Sequence, residues 1–198
     1  MWASILQHAW RHAILSLDAL ACAALLGCAL GITAWAWSSV RGTVLGVAAI
    51  GRTVPSIALL MLLIPLLGIG TAPAVVALTL LALPPIVVNV DVALREVSPS
   101  ALDAATGLGM TALQRFTRVS VPLALPVALS GVRTASVEVI GSATLATFIG
   151  AGGLGDDIVR ALQTSDVPLL LASAATVAAM AFAAEFLLGR LAATVEVH

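Results

Sequence analysis

Asp103-Ala104-Ala105-Thr106-Gly107-Leu108-Gly109, followed after nine residues by Val119-Ser120-Val121-Pro122, is the stretch on which the reading of this chain turns. It is a polar, glycine-broken island between apolar segments long enough to cross a bilayer. Ser98 before Pro99 reads as an N-cap with proline at the first helical position, which puts Asp103 near the positive end of a short helix. Gly107 and Gly109 end that helix, because glycine tolerates the left-handed backbone that a helix C-terminus commonly needs. Thr111-Ala112-Leu113-Gln114 is a capping-box pattern that starts a second helix, and Pro122 marks its end. The expectation is two short helices joined at a glycine elbow. Ala104 and Ala105 leave the first helix smooth enough for close approach by another backbone, while Arg115 and Arg118 hold the second in water or at phosphate headgroups. Such an island either docks a partner or merely connects two spans.

The rest of the chain places the island in a membrane protein. Of 198 residues, 61% are hydrophobic and 10% charged, with a mean hydropathy of +1.12; a soluble domain carries roughly 25% charge. The net charge of -1 and the lack of a basic cluster argue against nucleic acid as a partner. Five spans are expected, at about 15–40, 53–69, 73–92, 123–150 and 167–189. The second and third form a hairpin at Gly68-Ile69-Gly70-Thr71-Ala72-Pro73. The polar segment 94–122 lies on one side of the membrane and a loop 150–166 on the other. Arg41, Arg52, Arg95, Arg115, Arg118 and Arg190 fall on the side of the island, against Arg11 and Arg160 opposite. The positive-inside rule therefore puts the island in the cytoplasm, the N-terminus outside and the C-terminus inside. Trp2 and Trp10 then sit at the outer interface, and Trp35 and Trp37 at the inner one.

Charges within the spans read as functional by default. Arg133 and Glu138 fall well inside the expected fourth span, five residues apart and so on different faces of one helix. Glu138 either lines a path, favouring a cationic or zwitterionic solute, or makes a contact at a subunit interface or in a polar cavity. Asn89 and Asp91 read as interfacial. At the outer end of the fourth span, Gly150, Gly152, Gly153 and Gly155 supply flexible or close-packed backbone, and Asp156, Asp157 and Asp166 supply negative charge. That surface either receives a partner or simply terminates the span and allows tight packing.

Other classes fit poorly. The histidines are His8, His12 and His198, all near the termini. His8 and His12 have metal-ligand spacing but no third ligand, so no metal site is expected. Cys22 and Cys28 fall on different helix faces, which argues against a disulfide. An intramembrane enzyme lacks its nucleophile and base; a free-standing channel or structural membrane protein is compatible with the composition and is disfavoured by so long a polar island. There is no phosphate-loop pattern and no lysine at all, so nucleotide chemistry belongs to another chain.

The pattern from Asp103 to Pro122 resembles the EAA loop of the permeases of binding-protein-dependent ABC importers. Asp103 stands where that loop has Glu, and Val119 and Val121 where it has Ile and Leu. From about Gly51 to Arg190 the chain looks like the glycine betaine, carnitine and choline branch. That likeness includes Gly51-Arg52-Thr53-Val54-Pro55-Ser56 and Thr144-Leu145-Ala146-Thr147-Phe148-Ile149-Gly150-Ala151-Gly152-Gly153-Leu154-Gly155; methionine importer permeases share a similar glycine-rich segment. The resemblance implies an all-α membrane protein of about five transmembrane helices with a cytoplasmic helix-Gly-helix coupling loop, of the type I importer kind. It implies a non-catalytic permease subunit without a cofactor, embedded in lipid and moved by alternating access. Its partners would be a cytoplasmic ATPase that binds the ATP, an extracytoplasmic substrate-binding protein, and a second permease, identical or paralogous. Asp103, Ala104, Ala105, Gly107, Gly109 and Pro122 would couple to the ATPase. Quaternary ammonium groups favour aromatic cages; with no tyrosine, and tryptophan confined to the first 37 residues, the selective site is expected on the binding protein.

Overall fold

The computed structural model describes residues 2–196, and all regular structure among them is helical. His198 lies outside the described residues. The elements are α1 (Trp2–Ala36), α2 (Ser38–Gly51), α3 (Ser56–Leu67), α4 (Thr71–Arg95), α5 (Pro99–Gly107) and α6 (Ala112–Arg115). A π turn (Phe116–Ser120), α7 (Val121–Ser142), a 3-10 turn (Ala143–Ile149), α8 (Leu154–Thr164) and α9 (Val167–Glu196) complete them. A lipid-embedded chain has little choice, since helices satisfy their own backbone polar groups.

Four stretches are long and apolar enough to cross a bilayer: Trp2–Ala36, Thr71–Arg95, the continuous Ala112–Ile149 and Val167–Thr194. A fifth crossing follows from where their ends meet. Trp35, near the end of α1, stacks on Phe116 with ring centroids 5.4 Å apart, and Arg95 Nη2 donates to the Ala34 carbonyl at 3.3 Å. The ends of α1 and α4 and the start of the α6–α7 span therefore share one face of the bundle. At the opposite face Gly70 N donates to the Ile149 carbonyl at 2.8 Å. The chain leaves α1 at the first face and enters α4 at the second, so α2 and α3 together must carry it across. At 14 and 12 residues neither is long enough alone, and they meet at a 102° bend.

This bend corrects the expected second span. The crossing begins at Ser38 rather than near 53, and Gly51-Arg52-Thr53-Val54-Pro55 is the break inside it. Pro55 explains the break: it has no N–H to continue α2 and instead precedes the first turn of α3 in extended geometry (φ -60°, ψ 131°). Arg52, assigned by the sequence reading to the island's side, sits at this break. The hairpin expected at Gly68–Pro73 is present, with positive φ at Gly68 and Gly70. The first span is also longer than expected. At 35 residues, α1 extends about 50 Å against a hydrocarbon core of about 30 Å. Its first turns pack Ile5 against Leu154, Ala161 and Leu169 of α8 and α9.

Small residues hold the spans together, as expected where lipid tails are as apolar as leucine. A Cβ on Gly27 would lie 2.7 Å from Ile86 Cγ2, and one on Gly31 2.6 Å from Val90 Cβ, so α1 lies directly on α4. Gly131 does the same for α7, its missing Cβ falling 2.7 Å from both the Asn89 Cβ and the Pro85 carbonyl. Leu60, Leu78, Ile86 and Ile149 fill the core between these helices and are almost wholly buried.

Candidate functional site

The island folds as the elbow its sequence describes, with three local differences. α5 begins at Pro99 with Ser98 at the N-cap position, but the Ser98 hydroxyl bonds Ser100 Oγ at 2.7 Å rather than capping the helix. Gly107 is the last helical residue, so the reversal rests on Gly109, with φ +75°. The capping box at Thr111 is complete: Thr111 N donates to Gln114 Oε1 at 2.8 Å and Gln114 N to Thr111 Oγ1 at 3.3 Å. The third difference is at Pro122, which does not end a second short helix. The helix continues through a π turn at Phe116–Ser120 into α7, with Pro122 in the first turn of that helix. The wider π turn accommodates a proline that would otherwise collide with the preceding carbonyls.

The elbow is joined firmly to the spans. Arg115 Nη1 donates to Thr106 Oγ1 at 2.8 Å across the two arms. Ala105 is buried, whereas Asp103, Ala104, Gly107 and Gly109 are exposed. Leu108 and Leu113 bracket the turn at 77% and 72% exposure, an apolar pair that the sequence reading misses. Two large aliphatic side chains in an otherwise polar stretch, one before the capping box and one within it, are the signal that was available.

Beside the elbow, Asp91 is wholly buried rather than interfacial. It accepts from Arg41 and Arg95, with closest approaches of 2.8 and 3.0 Å. The same Arg95 reaches the α1 carbonyls, so the cluster ties α1, α2 and α4 together one turn before the island. Asn89 bridges α4 and α7, donating to the Pro85 carbonyl at 2.8 Å and accepting from Ser130 at 3.0 Å.

At the opposite face, the 150–166 segment is mostly helix α8 rather than loop. Gly152, Gly153 and Gly155 are buried and only Gly150 is exposed. A Cβ on Gly155 would collide with the Thr144 carbonyl, and one on Gly153 would lie 3.2 Å from His12 Nδ1. The acids are engaged rather than free. Asp157 is buried, taking His8 Nδ1 at 2.7 Å and Arg160 Nη2 at 2.5 Å. Asp156 accepts from the Thr147 hydroxyl, and Asp166 caps α9 through Leu169 N at 3.1 Å. His12 is buried and donates to the Ile140 carbonyl at 3.0 Å. No group of three metal-ligating side chains occurs among the described residues.

Within the spans, Arg133 pairs with Glu185 of α9 at 2.5 Å, a charge inside the 167–189 run that the sequence reading overlooks. Glu138 is exposed on the same side. It shares a groove of about 700 Å³ between α7 and α9 with Thr134, Phe182 and Glu185.

Residues 23–197 match the family described as binding-protein-dependent transport system inner membrane component. The chain is 38% identical to the carnitine transport permease protein OpuCB of Listeria monocytogenes, over 95% of this chain and 86% of that one. It is 35% identical to the glycine betaine/carnitine/choline transport system permease protein OpuCB of Bacillus subtilis (strain 168), over 93% and 85%. Its fold superposes on a chain of the MetNI methionine ABC transporter in an inward-facing conformation with a TM-score of 0.87, at 22% identity, covering 98% of this chain and 97% of that one. The helical spans, the glycine elbow and the match over residues 23–197 agree: this chain belongs to the inner-membrane components of binding-protein-dependent transport systems, as a multi-pass, non-catalytic permease subunit.

Proposed function

We propose that this permease forms the translocation path for a small osmoprotectant such as glycine betaine, carnitine or choline, driven by a separate cytoplasmic ATPase. Relatives named for these solutes match more than nine-tenths of the chain at 35–38% identity. A methionine-type importer is the other reading of the glycine-rich segment, but the likeness to MetNI stands at 22% identity and concerns the fold alone.

The observation that carries the coupling role is the exposed elbow rooted in two spans. An ATPase closing against Asp103, Ala104, Gly107 and Gly109 would push on a rigid lever, because Arg115 locks its arms and its second arm is continuous with α7. Trp35 on Phe116 would pass the same displacement to α1. Even with Arg52 moved to the break, Arg41, Arg95, Arg115, Arg118 and Arg190 against Arg11 and Arg160 favour a cytoplasmic elbow, an outer N-terminus and a cytoplasmic C-terminus. The outer face around Gly150 and α8 would receive the loaded binding protein. Gly152, Gly153 and Gly155 would act there by letting α8 pack closely, and a second permease, identical or paralogous, would complete the path beside Glu138 and Arg133. ATP-driven uptake of labelled glycine betaine, carnitine and choline by the reconstituted importer tests the assignment; uptake of methionine alone would replace it.

A further inference from the structure

Glu138 stands apart from the Arg133–Glu185 ion pair of α7 and α9. It lies on α7 near the middle of a span, is exposed, and has no hydrogen-bond or ion-pair partner among the described residues. An ionised carboxylate in that position is not stable against hydrocarbon, so this face meets water, protein or solute. Glu185, the other carboxylate of the groove, pairs with Arg133 across α7 and α9. Arg52, at the break between α2 and α3, is close enough for its charge to act on Glu138. The groove between the two helices thus offers one carboxylate held by no hydrogen bond or ion pair, on an otherwise largely apolar wall.

The opposite wall supplies the second element. Phe182 of α9 lines the same groove and is 73% exposed, with Ala178 and Ala181 leaving space around its ring. An aromatic face and a carboxylate suit a bulky, weakly hydrated cation, which gains from both the ring quadrupole and the negative charge without needing hydrogen-bond acceptors. A volume of about 700 Å³ falls in the range of small-molecule sites. Thr134 and Glu185, the latter paired with Arg133, add polar groups to the lining.

We propose that Glu138 of α7 and Phe182 of α9 form a low-affinity passage site for the quaternary ammonium head of the solute. The inference rests on the osmoprotectant reading and adds to it a selective element on the permease itself. The sequence alone argues against such an element, because it shows no aromatic cage; the structure brings one phenylalanine and one carboxylate, 44 positions apart, into one groove.

Saturation-transfer NMR on the permease–ATPase complex in nanodiscs, without binding protein, tests the site, using tetramethylammonium as probe and tert-butanol as a neutral probe of similar size. Wild type should transfer saturation to tetramethylammonium, and choline should displace it. Glu138→Gln should cut that signal about fivefold, as loss of one partly exposed ion contact does, leaving the tert-butanol signal unchanged. Glu138→Asp should retain most of it, and Phe182→Leu should fall between. An equal signal in Glu138→Gln and wild type, no tetramethylammonium signal in wild type, or a parallel fall of both probes would overturn the proposal, the last by assigning Glu138 a purely structural role. ATP-driven uptake by the wild-type importer with its binding protein separates the two levels. Uptake of quaternary ammonium solutes with a failed NMR result removes only the passage site, whereas no uptake of any of them removes the substrate reading and the site with it.

Discussion

Arg41 and Asp91 meet across the α2–α4 contact in a two-pronged ion pair. Arg41 Nη2 donates to Asp91 Oδ2 at 2.8 Å, and Nε lies 3.0 and 3.2 Å from the two carboxylate oxygens. Arg95 takes the remaining side of Asp91 at 3.0 Å and then caps the end of α1. One buried carboxylate thereby fixes the start of α2, the end of α4 and the end of α1 beside the coupling elbow.

Removing that carboxylate should be costly, because two guanidinium groups lose their shared acceptor at once. Asp91→Asn should destabilise the protein by about 3 kcal/mol, read as a lower thermal midpoint in detergent. Arg41→Met should cost less, since Arg41 is part-exposed and Arg95 still neutralises Asp91. Equal midpoints for Asp91→Asn and wild type would mean the cluster does not hold the helices.

Gly109 carries the elbow reversal at φ +75° with open space around its missing Cβ. Gly109→Leu should therefore fold and insert but disfavour the turn by about 1 kcal/mol or more, placing a bulky side chain on the docking surface. The expected outcome is at least about a tenfold fall in ATP-driven uptake with normal membrane abundance. Wild-type uptake by this variant would make the elbow a connector.

At the other face, Gly155 admits no side chain because the Thr144 carbonyl occupies the Cβ position. Gly155→Val should displace α8 from the end of the fourth span and lower the thermal midpoint, by about 2 kcal/mol in stability. Gly107→Ala, where a Cβ meets nothing within 4 Å, is the contrasting substitution and should leave the midpoint unchanged.

Orientation is open to a labelling test. A cysteine replacing the exposed Thr111 should be shielded from an impermeant thiol reagent in intact cells and react in inverted vesicles. Outside labelling would reverse the topology and place the elbow beyond reach of a cytoplasmic ATPase.

What was legible in the sequence divides along physical lines. Apolar length announces spans, glycine and capping patterns announce turns, and the hairpin at Gly68–Pro73 and the capping box at Thr111 are local signals of that kind. The break at Pro55 was harder to place, because an uncharged run from 53 to 90 hides the fact that the crossing starts at Ser38. Pro122 misled for a related reason: a proline usually marks a helix end, but the π turn before it lets the helix run on. Long-range partners were not legible at all. His8 with Asp157, Arg133 with Glu185 and Phe182 with Glu138 are brought together only by the packing of distant helices.

Coupling through the elbow is tested most directly by ATP hydrolysis in nanodiscs containing the permease and its cognate ATPase, measured with and without loaded binding protein. The permease alone should neither hydrolyse ATP nor concentrate solute. With the ATPase, basal hydrolysis should appear and the loaded binding protein should stimulate it. Replacing Asp103, Ala104 and Ala105 together with bulky residues should abolish the stimulation. Solute passing down its gradient through the permease alone, at a rate indifferent to ATP and to those substitutions, would contradict the coupling role and describe a channel instead.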